Sequence, residues 1–267
     1  MLTDILAYDF MQRAFAASGI VALVAGTVGY FLVLRGQTFA GHALSHVGFA
    51  GATGAALLGL SPLGGMVVFT VAAGLGMGLL GEKLSGRDVA IGIILALALG
   101  FGLLFLNLYS SNAAQATALL FGNVLAVSPA TLRSLALLAA ATLAGLALIS
   151  RPLLFASLQP ELAEAKGVST RLVGVLFMAV VALAVAQSVQ IVGVLLVFAL
   201  MVGPPAAAQL LTNRLGAGIA LAAGLAVGEA WLGILIAYHS DWPTSFCITA
   251  LSALVYLLAV ALAGRRG

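Results

Sequence analysis

The chain has 267 residues, of which 63% are hydrophobic and only 7% are charged, and its mean hydropathy is +1.21. Because a soluble domain carries about 25% charged residues, this composition excludes a soluble globular protein and predicts a protein that crosses a lipid bilayer several times. The net charge of +3 is spread over short segments, so the chain offers no basic tract for nucleic acid. A single cysteine, Cys247, excludes an internal disulfide and a cysteine-based metal cluster.

The chain begins with the segment Met1–Arg13, which contains two acids and one base. That charge is wrong for a secretory signal and favours a short interfacial helix ahead of the first span. Nine later stretches are apolar over the length of about 20 residues that a membrane helix needs. They cover residues 14–34, 39–60, 63–81, 88–108, 132–150, 169–187, 190–211, 216–238 and 244–263.

The segment 112–128 is apolar but short, and it contains Gly122 and Asn123. It predicts a partial or re-entrant element, which is stable at membrane depth only when protein surrounds it. Counted as a full span, it would give ten crossings instead of nine. We predict an all-α polytopic protein in which residues 1–267 form a single transmembrane domain.

The basic residues predict the orientation of these spans. All but two of the eleven lie in alternate loops or at the C-terminus, at Arg35, Lys83, Arg87, Arg151, Lys166, Arg171, Arg214, Arg265 and Arg266. The intervening loops carry almost none, and Arg133 alone lies on the wrong side. By the positive-inside rule the C-terminus is cytoplasmic and, with nine spans, the N-terminus is outside.

The second predicted span carries two of the three histidines, His42 and His46. Residues four apart lie on one face of an α-helix, with Cβ atoms roughly 6 Å apart, so two imidazoles can share one cation. Small residues surround them and allow neighbouring helices to approach closely. A polar pair within the membrane is a functional hypothesis, although hydrogen-bonded packing remains the alternative.

One cytoplasmic loop is much longer than the others. Within it, Glu161–Lys166 is good helix-forming sequence, with Pro160 at its start and Gly167 just beyond its end. The segment predicts a surface helix on the cytoplasmic side. From the residues alone it is either a capped connector or a docking element for a soluble partner.

Two further features, an acidic residue and a Gly-Pro-Pro sequence, lie inside predicted spans. Glu229 is an acid in an apolar helix, where a bare carboxylate costs several kcal/mol and needs a proton, a partner or a cation. Bonding to a backbone carbonyl, Gln187 or Gln190 is its alternative role. The sequence Gly203-Pro204-Pro205 predicts a break in the seventh span.

Four stretches, in this order, resemble the membrane subunit of the bacterial ABC importers for zinc and manganese. They are Gly41-His-Ala-Leu-Ser-His46, Leu120-Phe-Gly-Asn-Val-Leu-Ala-Val-Ser-Pro129, Gln159-Pro-Glu-Leu-Ala-Glu-Ala-Lys-Gly167 and Val192–Ala208, with Asp241-Trp-Pro243 following. The resemblance covers nearly the whole chain.

This resemblance implies a homodimer in the bacterial plasma membrane, two cytoplasmic ATP-binding subunits and an extracytoplasmic metal-binding protein that delivers the ion. It also implies a coupling helix at about 153–167, which meets the ATPase through Gln159, Pro160, Glu161, Ala163, Glu164 and Gly167. No Walker A sequence is present, so ATP hydrolysis belongs to a partner and this chain is not an enzyme.

The resemblance further implies a metal site at the permeation path made of His42, His46 and Glu229. His42 stands where many relatives have aspartate. Two imidazoles and one carboxylate suit Zn²⁺, whereas Mn²⁺ prefers more oxygen ligands, so the sequence favours zinc over manganese as the transported ion. No permanently bound cofactor is expected, and Asn123 is assigned only a structural role.

Depth argues against this trio. At 1.5 Å per residue, His46 lies roughly 10 Å, and Glu229 roughly 20 Å, from the cytoplasmic ends of their predicted spans. They meet only if the second helix is placed deeply. Three alternatives stay open: a proton-coupled secondary transporter, an ABC permease for a metal chelate such as a siderophore or cobalamin, and a membrane scaffold.

Overall fold

The structure, a computed structural model, describes residues 7–80, 86–108, 122 and 124–264. Within these residues the chain folds into ten α-helices. They are α1 (Asp9–Leu34), α2 (Thr38–Leu57), α3 (Pro62–Leu79), α4 (Arg87–Leu108), α5 (Pro129–Leu158), α6 (Pro160–Ala165), α7 (Thr170–Val192), α8 (Val194–Leu211), α9 (Leu215–Ser240) and α10 (Thr244–Ala263).

Nine of these helices lie at the nine predicted spans. In the described part of the chain, seven of them are long and apolar enough to cross a membrane, judged by length and composition alone. These are α1, α3, α4, α5, α7, α9 and α10. Helix α2 has 20 residues but carries both histidines, and within α8 the described apolar helical stretch is the shorter Leu196–Leu211. The fold is therefore all-helical and multi-pass, with seven clear candidate spans.

Helices α1 and α7 form the centre of the fold. Their most apolar windows are 67% and 72% buried inside the protein, against 39% or less for the other five candidate spans. Helix α7 packs against α3, α5, α1 and α2, while α1 packs against α9 and α8. Helix α2 lies between α3, α4, α7 and α8, so the histidine-bearing helix is held on several sides.

Two boundaries differ from the sequence prediction. Helix α5 continues through Pro152 to Leu158, because Leu153 and Ala156 beyond the proline are buried in the core. The coupling helix is correspondingly shorter than the predicted 153–167, since only Pro160–Ala165 forms a separate helix. Helix α7 runs on to Val192, and α8 begins directly after Gly193, whose φ of 80° lies in the left-handed region that favours glycine.

The predicted break at Gly203-Pro204-Pro205 does not occur, because α8 is continuous across both prolines. Pro205 cannot donate to the carbonyl of Met201, one turn earlier. That carbonyl packs directly against Gly29 of α1, where a Cβ would overlap it. Neighbouring backbone from α1 thus occupies the space beside the freed carbonyl and allows the helix to continue.

Several predicted features lie wholly or partly outside the described residues. The first residues of the N-terminal segment are among them, and Asp9–Arg13 forms the first turns of α1 instead of a separate helix. Most of the 112–128 segment and Asn123 are also outside the described ranges, as are Lys83, Arg265 and Arg266.

Helix α2 starts deep within the helical bundle. A Cβ on Gly48 would lie 3.8 Å from Cγ2 of Val189, and Val189 is nineteen residues, or about 28 Å, along α7. Gly48 is only ten residues, about 15 Å, along α2. If both helices run close to the membrane normal, α2 begins roughly 13 Å above the start of α7.

This placement bears on the depth difference that the sequence predicted. His46 lies one half-turn before Gly48, which puts it roughly 25 Å above the start of α7. Glu229 is fourteen residues along α9, roughly 21 Å above the start of that helix. The separation of about 10 Å in depth assumed a surface start for α2, and it stays a prediction.

Candidate cation site on helix α2

The two histidines of α2 lie side by side. Their ring centroids are 4.9 Å apart and the rings meet edge to face at 86°. Both side chains are half-buried, and the Nδ1 atom of each is buried without a hydrogen-bond partner in the described part of the protein. A buried nitrogen that no protein group satisfies favours a ligand, because an unmet polar atom costs about 1–3 kcal/mol.

Small residues fix the orientation of this helix. Gly51 of α2 and Gly65 of α3 cross so closely that a Cβ on either would overlap the carbonyl oxygen of the other. Gly41 lies against Leu32 of α1, where a Cβ would be 2.7 Å from Cδ2. The helix is thereby held against α1 and α3, so the direction of the histidine pair is fixed by backbone packing.

A cleft of about 190 Å³ opens beside the histidine pair. It is lined by Thr38 and Phe39, near the start of α2, by His42 and by Phe198 of α8. The Phe198 ring meets the His42 ring at 5.1 Å between centroids, at an angle of 72°. One edge of the pair is therefore accessible, while the phenyl ring covers another.

Glu229 is 3% exposed on α9, and neither carboxylate oxygen has a hydrogen-bond partner among the described residues. The alternative bonds to Gln187 or Gln190 are thus not formed. The Ser252 hydroxyl of α10 lies beside Glu229 but donates to the carbonyl of Ala199 in α8, at 3.1 Å. In the described ranges no three His, Cys, Asp or Glu side chains are close enough to hold a metal together.

The structure therefore brings His42 and His46 together and leaves Glu229 outside their immediate group. His42 packs against Phe198, and Ser252, the neighbour of Glu229, bonds to the next residue, Ala199. Phe198 also lines a second cleft, of about 320 Å³, between α8 and α10. The histidines and the carboxylate thus flank the same segment of α8.

The predicted coupling helix lies between α5 and α7. Ala163 is 0% exposed and holds this helix against the core, so it faces the chain itself. Gln159, Pro160, Glu161, Glu164 and Gly167 are exposed, and the Glu164 carboxylate accepts a 2.6 Å hydrogen bond from Thr170 at the start of α7. Leu158 and Leu162 are 66% and 46% exposed beside them.

Sequence reasoning missed Phe198 and the two exposed leucines. Phe198 is one apolar residue in an apolar helix, and no sequence signal distinguishes it. Leu158 and Leu162 lay within the predicted coupling helix but were not named as contacts, although apolar side chains on a charged surface helix could have identified a docking face. His239 and Asp241, at the end of α9, are exposed and lie far along the chain from the pair.

Comparisons with known proteins agree with this architecture. The model of a family described as "ABC 3 transport family" matches residues 7–263. The "Manganese transport system membrane protein MntC" of Halalkalibacterium halodurans is 31% identical over 99% of this chain and 91% of its own length. A "Probable iron transport system membrane protein" of Haemophilus influenzae is 28% identical over 97% of this chain and 96% of its own.

Among solved structures, "PsaBC from Streptococcus pneumoniae in complex with Fab" matches with a TM-score of 0.86 and 28% identity. The match covers 97% of this chain and 95% of that one. The family match spans the described helices, including α2 with its histidine pair and the short helix α6. The chain therefore belongs to the ABC 3 transport family, as a membrane permease subunit for which a separate subunit hydrolyses ATP.

Proposed function

We propose that this chain forms the membrane path of an ATP-driven importer for a divalent transition-metal ion. The observation that carries the proposal is the histidine pair, with two buried ring nitrogens lacking protein partners beside an open cleft. Imidazole is a common ligand of divalent transition metals. Two such groups, with no closed shell around them, suit an ion that binds and leaves.

In this mechanism His42 and His46 supply nitrogen ligands to the passing ion. Glu229 supplies an oxygen ligand when the helices move between outward-open and inward-open states. Its carboxylate is buried between membrane helices and has no hydrogen-bond partner among the described residues. A bound cation would therefore offset the free-energy cost of burying its charge. Phe198 would have to move for all three to meet.

The metal is divalent manganese or zinc. The relative from Halalkalibacterium halodurans is named for manganese. None of the proteins reported above is named for zinc, so their names do not support the preference drawn from the two imidazoles. The ligand chemistry by itself favours zinc, since manganese prefers oxygen donors. Direct competition between the two ions for uptake decides this point.

The exposed side of α6, with Leu158 and Leu162 beside it, is the proposed contact with the ATP-binding subunit. Exposed apolar side chains next to a charged helix form the kind of surface that a protein groove covers. The remaining partners are a second copy of this chain and an extracytoplasmic metal-binding protein. Nine crossings, with the N-terminus outside and the C-terminus inside, complete the proposed arrangement in the bacterial plasma membrane.

An importer for a metal chelate is the second candidate, favoured by the fact that one relative is named for iron transport. The cleft beside His42, of about 190 Å³, is smaller than the 300–1,000 Å³ typical of pockets for drug-sized ligands. That size favours a bare ion. A chelate would also leave the two histidine nitrogens without partners.

The test is uptake of radioactive manganese and zinc by proteoliposomes that contain this chain, its ATP-binding subunits and the delivery protein. We expect uptake that requires ATP, stops with vanadate and persists with an uncoupler, and that an excess of the unlabelled preferred ion abolishes. Uptake that needs no ATP and collapses with the uncoupler would contradict the proposal in favour of a proton-coupled carrier. Uptake of a ferric chelate but of neither bare ion would favour the second candidate.

A further inference from the structure

The turn between α1 and α2 is connected to both helices that flank α6. Arg35, the residue that follows α1, donates a 2.7 Å hydrogen bond from Nη1 to Oγ of Ser157, near the end of α5. Its guanidinium carbon lies 5.6 Å from the ring centre of Phe177 in α7. A Cβ on Gly174, also in α7, would be 3.9 Å from Nη2. One side chain thus contacts α5 and α7 at once.

Ser157 is well placed to transmit a displacement of α6. It lies three residues before Pro160, and its hydroxyl donates to the carbonyl of Leu153 while accepting from Arg35. Helix α6 is fixed to the same unit, because Ala163 is fully buried and Val168 N–H donates to its carbonyl at 2.9 Å. A push on α6 therefore moves the Ser157 hydroxyl with it.

Arg35 is equally close to the histidine helix. Only Gly36 and Gln37 separate it from the first residue of α2, and the turn is tight, with Gln37 N–H bonded to the carbonyl of Leu32 at 3.0 Å. Gln37 is itself buried. Because the turn is short and hydrogen-bonded, it transmits a displacement of the Arg35 guanidinium to the start of α2, one turn before His42.

We propose that Arg35 is the positioning residue that couples the cytoplasmic helix α6 to the cation site on α2, through its contacts with Ser157 and Phe177. The inference rests on the proposed function, because it assumes that α6 receives the movement of an ATPase. Arginine suits this role since its planar guanidinium bonds and stacks at the same time, whereas lysine does not. Arg35 touches no ion and has no part in ATP hydrolysis.

The experiment measures Mn²⁺ uptake and ATP hydrolysis together in the reconstituted complex with its ATP-binding subunits and delivery protein. We expect Arg35→Gln to lower Mn²⁺ imported per ATP hydrolysed by roughly fivefold or more, within the range of measured coupling effects. Ser157→Ala, which keeps the charge and removes only the bonded hydroxyl, should lower the same ratio in the same direction. The double variant should be no worse than Arg35→Gln alone, because both changes break one link.

Arg214→Gln is the matched control, because this arginine is exposed on a cytoplasmic-side turn at the start of α9. The variant should import as much Mn²⁺ per ATP hydrolysed as the wild type. If Arg35→Gln does not accumulate in the membrane, Ser157→Ala decides alone. An unchanged ratio in the accumulating variants, or losses that add in the double variant, overturns the inference while leaving the proposed function intact. A wild-type complex without ATP-dependent uptake of either Mn²⁺ or Zn²⁺ overturns both.

Discussion

At the scale of single residues, the central feature is a pair of imidazoles whose orientation is set by glycines. Many residues of α2 that face its neighbours are glycines or alanines, and backbone from α3 lies directly against Gly51. Such packing leaves few alternative positions for the helix. The histidine rings therefore keep their place beside the cleft although neither Nδ1 atom has a hydrogen-bond partner among the described residues.

The crossing of α2 and α3 can be tested by adding one methyl group. Gly51→Ala forces the new Cβ against the carbonyl of Gly65 and within 2.7 Å of Cβ of Phe69. We expect a loss of about 1–3 kcal/mol, the usual cost of overpacking, seen as a lower unfolding temperature of the detergent-purified protein. Gly76→Ala in α3 is the control, because no atom lies within 4 Å of its Cβ position. Equal unfolding temperatures for the two variants would contradict the close crossing.

Glu229 can be tested by a change that conserves its shape. Glu229→Gln removes the proposed negative oxygen ligand, so we expect Mn²⁺ uptake to fall roughly tenfold, the scale on which groups around metal sites act. Ser252→Ala is the control, since this hydroxyl lies beside Glu229 but bonds to the Ala199 carbonyl. Normal uptake by Glu229→Gln at a normal protein level would contradict a ligand role and leave Glu229 with a role in packing only.

At the scale of helices, the sequence predicted the elements better than their ends. Apolar runs identified nine helices, because a membrane span must be apolar along its whole length. The ends of α5 and α7 were wrong, since Pro152 and the polar residues Gln187 to Gln190 indicated loops. Burial of Leu153, Ala156 and Gln187 in the folded chain outweighs those local signals.

The site was predictable only in part, for a similar reason. Helical periodicity placed His42 and His46 on one face, and their rings do lie together. Their neighbour Phe198 is about 150 residues further along the chain, and no local pattern relates the two. The depth of α2 also depends on long-range contacts with α7, which the lengths of spans do not reveal.

The proposed coupling helix, α6, supports a prediction of its own. Leu162→Glu places a charge on the exposed face of α6, where the wild-type leucine is 46% exposed, so we expect the ATP-binding subunit to be lost on purification while this chain accumulates normally. Leu60→Glu is the control, because Leu60 is 62% exposed in the turn between α2 and α3, on the opposite side of the membrane in our orientation. Copurification that survives Leu162→Glu would place the ATPase contact elsewhere.

At the scale of the whole molecule, orientation follows from the loop charges and is open to direct labelling. Cys247 is buried, so labelling with a thiol reagent comes from a newly introduced surface cysteine. We expect Ser61→Cys to react with a membrane-impermeant maleimide in intact cells, and Glu161→Cys to react only after lysis. The reverse pattern would invert the topology and contradict the cytoplasmic position of α6.

The measurement that tests the account most directly is Mn²⁺ uptake by His46→Ala, with membrane level and ATPase copurification measured in parallel. The account predicts a fall of roughly tenfold or more, while His239→Ala, an exposed histidine at the end of α9, transports normally. Uptake within about twofold of the wild type would contradict the claim that the histidine pair of α2 holds the passing ion, because the loss would be smaller than that expected for a group that only hydrogen-bonds to a metal ligand.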